Sequence, residues 1–244
     1  MCYEGILCAK FTSTNTDYSF LVLSCYLPPE NSVWGRDSQG FFAQILSNIY
    51  VHYTCDAIFV CGDFNSRIGN FNDFTEFDDV PTRFSLDGNT NQHGKTFLEF
   101  LNESKMCVLN GRIDVQKDNF TYISGRGKSV VDYICVPHDV LEQLVSFEVI
   151  TTCSIVEQSN LYSLLGERSK VPDHSVLIAE FKTTCTYSTQ SQVPQECVEN
   201  KRYKLKSIPN DLFASDLSKI ALQRTAKYIL QAFTKRRQFI YVNN

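Results

Sequence analysis

The chain has 244 residues, 43% hydrophobic and 13% aromatic, which suffices for one substantial buried core. Its formal net charge of −4 is unevenly distributed, because residues 201–244 hold ten Lys or Arg and only two acidic residues. The first 200 residues are therefore acidic, with 13 basic and 25 acidic side chains. Such a body does not bind a polyanion by its overall field alone, whereas clustered carboxylates suit a divalent cation.

The ten cysteines show no C-x-x-C spacing, so neither a zinc ribbon nor a redox motif is indicated. Cys61, Cys107 and Cys135 lie within apolar runs, where a reduced cysteine behaves as a small hydrophobe. This pattern predicts an intracellular, reducing compartment. We expect no membrane segment and no signal peptide, since no apolar run is long enough and the first residues are polar.

The first third of the chain reads as strand, strand, helix and strand. Strands are predicted over 5–11 and 20–26, and two prolines end the second strand because neither can donate to a ladder. Apolar residues at helical spacing predict an amphipathic helix from Asp37 to about Tyr53. This alternation is typical of layered α/β folds.

The next apolar run, residues 58–61, ends abruptly at Gly62 and predicts a strand buried on both faces. Asp63 and Asn65 follow it and lie on one side of an extended backbone. Both residue types are common in turns, so this junction alone is also consistent with an ordinary strand end.

The middle of the chain begins with a long aperiodic surface loop over 66–90. A second helix is predicted after 91–94, carrying Phe97, Leu98, Leu101 and Met106. A short strand over 107–109 follows and ends at an Asn-Gly turn. Strands over 120–123 and 130–136 are predicted to form a hairpin whose tip, residues 124–128, is glycine-rich and basic.

The last third is predicted to contain a short helix over 139–145, a strand over 147–150, an irregular stretch to Lys170 and a strand over 176–181. Residues 183–200 are polar and aperiodic, which favours a linker. Residues 201–244 are predicted to form a basic helical appendage.

Three acidic residues stand at predicted strand ends: Asp63, Asp132 and Asp173, the last directly before His174. Each has an ordinary structural explanation when taken singly, as a turn residue or a strand-edge charge. Their order along the chain, together with the motifs around them, is more specific. The pieces that matter are 26–29 (YLPP), 62–65 (GDFN), 91–94 (NQHG), 121–122 (TY), 129–134 (SVVDYI) and 173–175 (DHS).

In this order the motifs resemble those of the endonuclease/exonuclease/phosphatase superfamily, most closely the apurinic-type endonuclease domain of LINE-like (non-LTR) retrotransposons. The resemblance implies an α/β fold, a four-layer αββα sandwich of two mixed sheets, over residues 1–182. It also implies hydrolysis of a phosphodiester with Mg²⁺ or Mn²⁺, most simply as a DNA-nicking endonuclease.

The resemblance also implies roles for individual residues. Asp63 would orient and deprotonate the attacking water, and Asn65 would hold that water or a phosphate oxygen. His174 would contact the phosphate, and Asp132 would accept a hydrogen bond from its other ring nitrogen. Tyr26 would donate its hydroxyl to a phosphate oxygen.

The metal ligands implied by the resemblance are Asp173, Asp63 and Asn65, and the DNA contacts are Arg126 and Lys128 at the hairpin tip. Superfamily members begin with a strand carrying an Asn or Asp and a segment presenting a metal-binding Glu, and this chain starts downstream of both. We therefore expect a domain that is incomplete at its N-terminus, a fragment of weak or no activity.

Two other functions remain open from the sequence. The chain could be a superfamily phosphatase acting on a small phosphate ester, or a non-catalytic relict module that binds nucleic acid. The basic hairpin tip and residues 91–94 favour DNA as the partner, and no protein partner can be inferred. Activity on chromosomal DNA would place the chain in the nucleus.

Overall fold

The computed structural model describes residues 5–159 and 172–183. The chain divides into two units, Met1–Gln190 and Ser191–Asn244, and every described residue belongs to the first. The predicted linker beyond Thr183 and the predicted appendage over 201–244 lie outside the described residues, so the domain boundaries stay a prediction.

The described residues form nine strands and three α-helices, in the mixed α/β class that the sequence predicted. The strands are β1 (Ile6–Thr12), β2 (Ser19–Tyr26), β3 (Ala57–Asp63), β4 (Met106–Val108), β5 (Tyr122–Ser124), β6 (Gly127–Ser129), β7 (Asp132–Pro137), β8 (Leu144–Ile150) and β9 (Val176–Phe181). The helices are α1 (Ser38–Val51), α2 (Gln92–Ser104) and α3 (Thr152–Gln158), and short 3-10 helices span Val33–Gly35, Val115–Lys117 and His138–Gln143.

The largest sheet has five strands in the order β1-β2-β3-β7-β4. Strands β2 and β3 run parallel, and α1 supplies the crossover that parallel neighbours require. The other neighbours in this sheet are antiparallel. Strands β5 and β6 form a separate hairpin, and β8 and β9 form a second two-stranded sheet.

Each face of the main sheet is covered by a different layer. Apolar residues of α1 and α2 pack on one face, where Phe42, Phe64, Phe97 and Phe100 stack with ring centroids 4.8 to 6.3 Å apart. The β8–β9 sheet packs on the other face, against residues such as Phe59. The described residues thus form three layers, and the fourth layer of the expected sandwich stays a prediction.

Helix α2 ends earlier than the sequence suggested. Asn91 caps its first turn by accepting the Gly94 N–H, and Lys105 ends it in the left-handed region with φ +54°. Because the chain turns there, Met106 is the first residue of β4 and not the last apolar residue of the helix, so that prediction was wrong. Met106 is almost fully buried in β4, as an apolar residue at the end of the helix would also be. The apolar pattern therefore could not distinguish the helix from the strand at this position.

The predicted hairpin of 120–123 with 130–136 is also corrected. Strand β5 pairs with the short β6, and β7 leaves to join the main sheet beside β3 and β4. The ladder breaks between β6 and β7 because side chains take over its hydrogen bonds. The N–H of Val130 donates to Asp87, and that of Val131 donates to the Thr121 hydroxyl.

Two further differences lie in the last third of the chain. Residues 152–158, predicted to be irregular, form α3, whose first turn is capped by Thr151. Its Thr, Cys, Ser, Ile and Val residues have modest helix propensity and gave no apolar period. The predicted helix over 139–145 is a 3-10 helix that gives way to β8 at Leu144. Among the described residues, no helix is long and apolar enough to cross a membrane.

Candidate active site

Three of the predicted site residues stand side by side at one end of the main sheet. Tyr26 pairs in register with Asp63 across the parallel β2–β3 ladder, and Asp63 pairs with Asp132 across the antiparallel β3–β7 ladder. Register partners on neighbouring strands point to the same face. Alternation along β3 places Asp63 on the face that carries Phe59, which the β8–β9 sheet covers further along.

His174 reaches this end of the sheet from a different direction. It forms an isolated antiparallel bridge with Tyr122 of β5. The bridge is flanked by two backbone hydrogen bonds of 2.7 Å, from Ile123 N–H to the Asp173 carbonyl and from Ser175 N–H to the Thr121 carbonyl. The Tyr122 ring meets the imidazole edge-on with centroids 5.1 Å apart. The hairpin therefore lies directly beside the site, as the sequence predicted.

The hydrogen bond expected between Asp132 and His174 is present. The Nδ1 atom of His174 lies 3.0 Å from both carboxylate oxygens of Asp132, a geometry in which the ring N–H donates to the carboxylate. The opposite ring nitrogen, Nε2, lies 4.0 Å from an oxygen of Asp63. Ligand atoms of Asp63, Asp132 and His174 all lie within 4.8 Å of one another, so the three side chains form one cluster.

Asn65 holds the Asp63 carboxylate in place. Its backbone N–H donates to Asp63 Oδ1 at 3.0 Å, and its side-chain amide donates to Asp63 Oδ2 at 3.2 Å. The same amide nitrogen donates to the Leu27 carbonyl at 2.9 Å. Asn65 adopts φ +46°, a left-handed conformation that asparagine tolerates better than most residues. Its observed contacts orient Asp63, and its predicted contact with phosphate or metal stays a prediction.

The ionisation of the cluster follows from its burial. The side chains of Asp63 and Asp132 are 17% and 15% exposed. Burial raises the pKa of Asp63 to about 6, despite hydrogen bonds from Asn65 that favour the carboxylate. Burial likewise raises the pKa of Asp132 against the opposing effect of His174. Burial alone would lower the pKa of His174, but the hydrogen bond and charge of Asp132 outweigh it and raise the pKa.

The remaining predicted site residues lie around this cluster. Asp173 is exposed and stands outside the group of mutually close ligand atoms, so the structure does not bring this predicted metal ligand into the cluster. Tyr26 is half exposed at the same sheet end. Arg126 and Lys128 are exposed on the hairpin, with the Lys128 ammonium 5.8 Å from the Phe120 ring centroid.

Several buried polar residues that support the site were not singled out from the sequence. The hydroxyl of Thr121 accepts from the N–H groups of Val131 and Asp132 at 2.9 and 3.0 Å. The Asn110 amide donates to the Asp132 carbonyl at 3.1 Å. Asn110 was interpreted as a turn residue, and only its nearly complete burial marks it as more than that. Thr121 lies inside one of the motifs, but the sequence gave it no role.

Residues 91–94, one of the recognised motifs, act on the loop after Asp63. The Asn91 side-chain oxygen accepts the Arg67 N–H at 2.8 Å, and its amide donates to the Asn65 carbonyl at 2.8 Å. Gly94 lies against the Arg67 backbone so closely that a Cβ atom would overlap with the Arg67 carbonyl. The motif therefore packs the start of α2 onto the loop that carries Asn65.

The cluster fits a hard divalent cation. Two carboxylates converge at one point, and oxygen ligands are those that Mg²⁺ and Mn²⁺ prefer. Each carboxylate already accepts hydrogen bonds, Asp132 from His174 and Asp63 from Asn65, and each carboxylate oxygen has a further lone pair for an ion. Asp63 and Asp132 would thus hold the ion together with water and substrate oxygens.

A buried aspartate pair with a histidine at the strand ends of a layered α/β fold is the arrangement implied by the resemblance to the endonuclease/exonuclease/phosphatase superfamily. Sequence comparison agrees, because residues 20–159, more than half of the chain, match the family described as Endonuclease-reverse transcriptase. The chain belongs to this family and, through it, to that superfamily. No curated protein matches the chain.

Three solved structures are among those similar to this chain. The 3′ phosphatase NExo from Neisseria, bound to a product DNA hairpin, is 15% identical with a TM-score of 0.47 over 73% of this chain and 65% of its own. The endonuclease domain of TRAS1, a telomere-specific non-LTR retrotransposon, is 14% identical with a TM-score of 0.46 over 73% and 62%. The 3′–5′ exonuclease NExo from Neisseria meningitidis is 14% identical with a TM-score of 0.45 over 67% and 62%. The chain thus spans less than two thirds of the length of these proteins.

Proposed function

We propose that this chain carries a phosphodiester hydrolase site that uses Mg²⁺ or Mn²⁺ and nicks DNA, as an endonuclease of the retrotransposon type. The observation that carries the proposal is the cluster of Asp63, Asp132 and His174 at the ends of two central strands. Family membership supports the same reaction class, and the exposed basic hairpin beside the cluster favours a nucleic acid over a small phosphate ester.

In the proposed reaction Asp63 orients a water molecule and removes its proton. Its pKa of about 6 suits this task, since a base that titrates near neutral pH is both deprotonated and basic enough. Asn65 fixes the carboxylate with two hydrogen bonds, so little reorganisation is needed when the water attacks. Asp63 and Asp132 would hold a divalent cation there, which would neutralise charge on the phosphate and the departing oxygen.

His174 acts on the phosphate from the other side of the cluster. Asp132 accepts from Nδ1, which fixes the ring orientation and directs Nε2 toward Asp63 and the site. The raised pKa keeps a larger fraction of the imidazole protonated, and a protonated ring donates to a phosphate oxygen more strongly than a neutral one. Tyr26, in register with Asp63, would donate to a second phosphate oxygen.

The test is cleavage of supercoiled plasmid with Mg²⁺ or Mn²⁺. We expect slow nicking by the chain, abolished by a chelator and by Asp63→Ala or His174→Ala. Matched controls are Asp17→Ala, an exposed loop carboxylate between β1 and β2, and His52→Ala, the residue that follows α1; both should nick as the unchanged chain does.

Two outcomes would contradict the proposal. Nicking that survives both Asp63→Ala and His174→Ala would assign the activity to something other than this cluster. Hydrolysis of soluble phosphate esters under conditions where plasmid remains intact would assign the site to a phosphatase. If chromosomal DNA is the substrate, we propose that the chain acts in the nucleus.

A further inference from the structure

Asp87, a buried carboxylate in the long loop between β3 and α2, accepts five hydrogen bonds. Asp87 is 3% exposed. Its oxygens accept from Arg67 Nε at 2.7 Å and Arg67 Nη2 at 2.6 Å, and from the Val130 N–H at 3.1 Å. They also accept from the backbone and side chain of Asn89 at 3.1 and 3.2 Å. The pair with Arg67 is a bidentate ion pair, a directional kind of contact.

The partners of Asp87 belong to the two segments that carry the catalytic acids. Arg67 follows Asn65 by two residues, and Asn65 is the residue whose donors hold the Asp63 carboxylate. Val130 precedes Asp132 by two residues, at the point where the chain leaves β6 and enters β7. Asp87 therefore joins the segment after Asp63 to the segment before Asp132 through a single side chain.

The β3–β7 ladder alone does not fix these two segments. Pairing in that ladder ends at Asp63 and Asp132, so Asn65 and Val130 both lie beyond its last rung. Beyond the ladder the two segments touch through Phe64 N–H to the Val131 carbonyl at 3.0 Å, and through Tyr133, whose hydroxyl lies 2.9 and 2.8 Å from the carbonyls of Ser66 and Val130. Asp87 adds charged, buried hydrogen bonds to this junction, and these are stronger than neutral ones.

We propose that Asp87 is a positioning residue for the hydrolysis proposed above, setting the relative position of the Asp63–Asn65 segment and Asp132. The inference rests on the proposed function for its chemistry but on Asp87, Arg67 and Val130 for its geometry. Asp87 does not touch the reacting atoms. It acts through Arg67 and Val130, which lie two residues from Asn65 and from Asp132.

The chain offers a matched control in Asp73. This aspartate is also fully buried, makes an ion pair of 2.5 Å with the buried Arg112 and accepts the Val108 N–H at 2.8 Å. Its partners Val108 and Arg112 lie in and after β4, and neither is in the segment after Asp63 or the segment before Asp132; the Asn110 between them contacts Asp132 only at its backbone carbonyl. Asp73→Asn thus damages a comparable buried pair without touching the junction.

The experiment compares Asp87→Asn with Asp73→Asn in the full chain. Both variants should lower the melting temperature. Only Asp87→Asn should lower kcat for plasmid nicking, by about 10- to 100-fold with KM little changed, as is typical when a residue behind a catalytic group is removed. Arg67→Lys keeps the charge but loses the bidentate guanidinium contact, so it should lower kcat by an intermediate factor. It replaces Asp87→Asn as the test variant if Asp87→Asn does not fold.

A second readout does not depend on activity. In Asp87→Asn the backbone amide NMR signals of Asn65 and Asp132 should both move, and Mn²⁺ affinity, measured from the EPR signal of free Mn²⁺, should fall by about 10-fold or more. Amide signals that move no more than in Asp73→Asn would overturn the proposal. If the unchanged chain does not nick DNA but these amides move together, the positioning role stands and the proposed function fails.

Discussion

The acidic and the histidine sides of the candidate site are held by different means. Asp63 and Asp132 are neighbours in the central sheet. The aromatic stack that includes Phe64 lies on the opposite face of that sheet from the Asp63 side chain. His174 lies between strands, joined by a single bridge to a three-residue strand, and its side chain is 39% exposed. The positions of the two acids are therefore fixed by the core of the domain, whereas the position of the histidine depends on a small number of hydrogen bonds. Each substitution below perturbs one of these two sides and leaves the other intact.

The largest expected effect comes from removing the core beneath the acids. Phe64 stands between Asp63 and Asn65, is fully buried and stacks on Phe97 at 4.8 Å. Phe64→Ala should lower the free energy of unfolding by about 3–5 kcal/mol, because it removes a large buried ring and leaves a cavity. Urea denaturation measures this loss. Phe11→Ala, which removes a half-exposed ring in β1, should lower the free energy of unfolding much less. An equal loss in the two variants would contradict the assignment of Phe64 to the core.

The next effect concerns the charge of Asp63. Its pKa is about 6 in the folded chain, above its ordinary value of 3.8, so the fold is less stable with the carboxylate than with the acid. Asp63→Asn should therefore raise the free energy of unfolding by about 1–3 kcal/mol above pH 6. The gain should shrink as the pH falls from 6 and vanish below about 3.8, where Asp63 is protonated in both states.

Chemical denaturation of both forms at pH 5 and pH 8, in the presence of a chelator, tests this prediction. Adding Mn²⁺ should reverse the order, since the ion stabilises the form that retains the carboxylate. A gain from Asp63→Asn that does not depend on pH would mean that burial of the charge is not its cause.

A smaller effect is expected on the histidine side. The Ser175 hydroxyl donates to the Phe120 carbonyl at 2.9 Å and ties the residue after His174 to the hairpin. Ser175→Ala should cost only about 0.5–1.5 kcal/mol of stability, the usual value for one hydrogen bond. Its effect on nicking should be larger than its effect on stability, because His174 moves with it.

The matched control is Ser104→Ala, which removes a similar bond of 2.7 Å from a hydroxyl to the Phe100 carbonyl, at the end of α2. Melting temperature and nicking rate are measured for both. Equal losses of nicking in the two variants would show that the histidine side is not more loosely held than the rest of the fold.

The smallest effect is expected at the hairpin tip. Replacing both Arg126 and Lys128 by Ala should leave stability unchanged, because both side chains are exposed. DNA binding, measured by fluorescence anisotropy at several salt concentrations, should weaken, and the slope of log affinity against log salt should fall by about one to two units. An unchanged slope would place the DNA path elsewhere. Lys95 and Lys117, exposed on other elements, provide a control pair.

The sequence predicted the parts of this fold where one physical signal dominates. Strand β3 forms where the run 58–61 predicted it, with Ile58 and Val60 buried on one face and Phe59 and Cys61 partly buried on the other. Helix α2 was also expected, but it begins at Gln92, inside the 91–94 motif that was placed before it, and Asn91 caps it. Asp132 and His174 could be placed together only through their resemblance to a known family, because nothing in their spacing brings residues 42 positions apart into contact.

The parts that were not predicted depend on tertiary contacts. The break between β6 and β7 is stabilised by Asp87 and Thr121, which lie 43 and 10 residues from their partners. A charged residue in an aperiodic loop carries no sign that it will be buried. Asp87 was for this reason indistinguishable, in the sequence, from the exposed acids around it.

The alternation of Asp63, Phe64 and Asn65 has a consequence for how heat inactivates the protein. Two polar residues face the site, and the ring between them is part of the aromatic stack that holds α1 and α2 on the sheet. We expect the acids to keep their positions until that stack opens in the cooperative unfolding of the domain. His174, which is held by fewer contacts, should detach at a lower temperature. Activity should consequently decline in two stages on warming, a gradual and reversible one before the cooperative transition and an abrupt one within it.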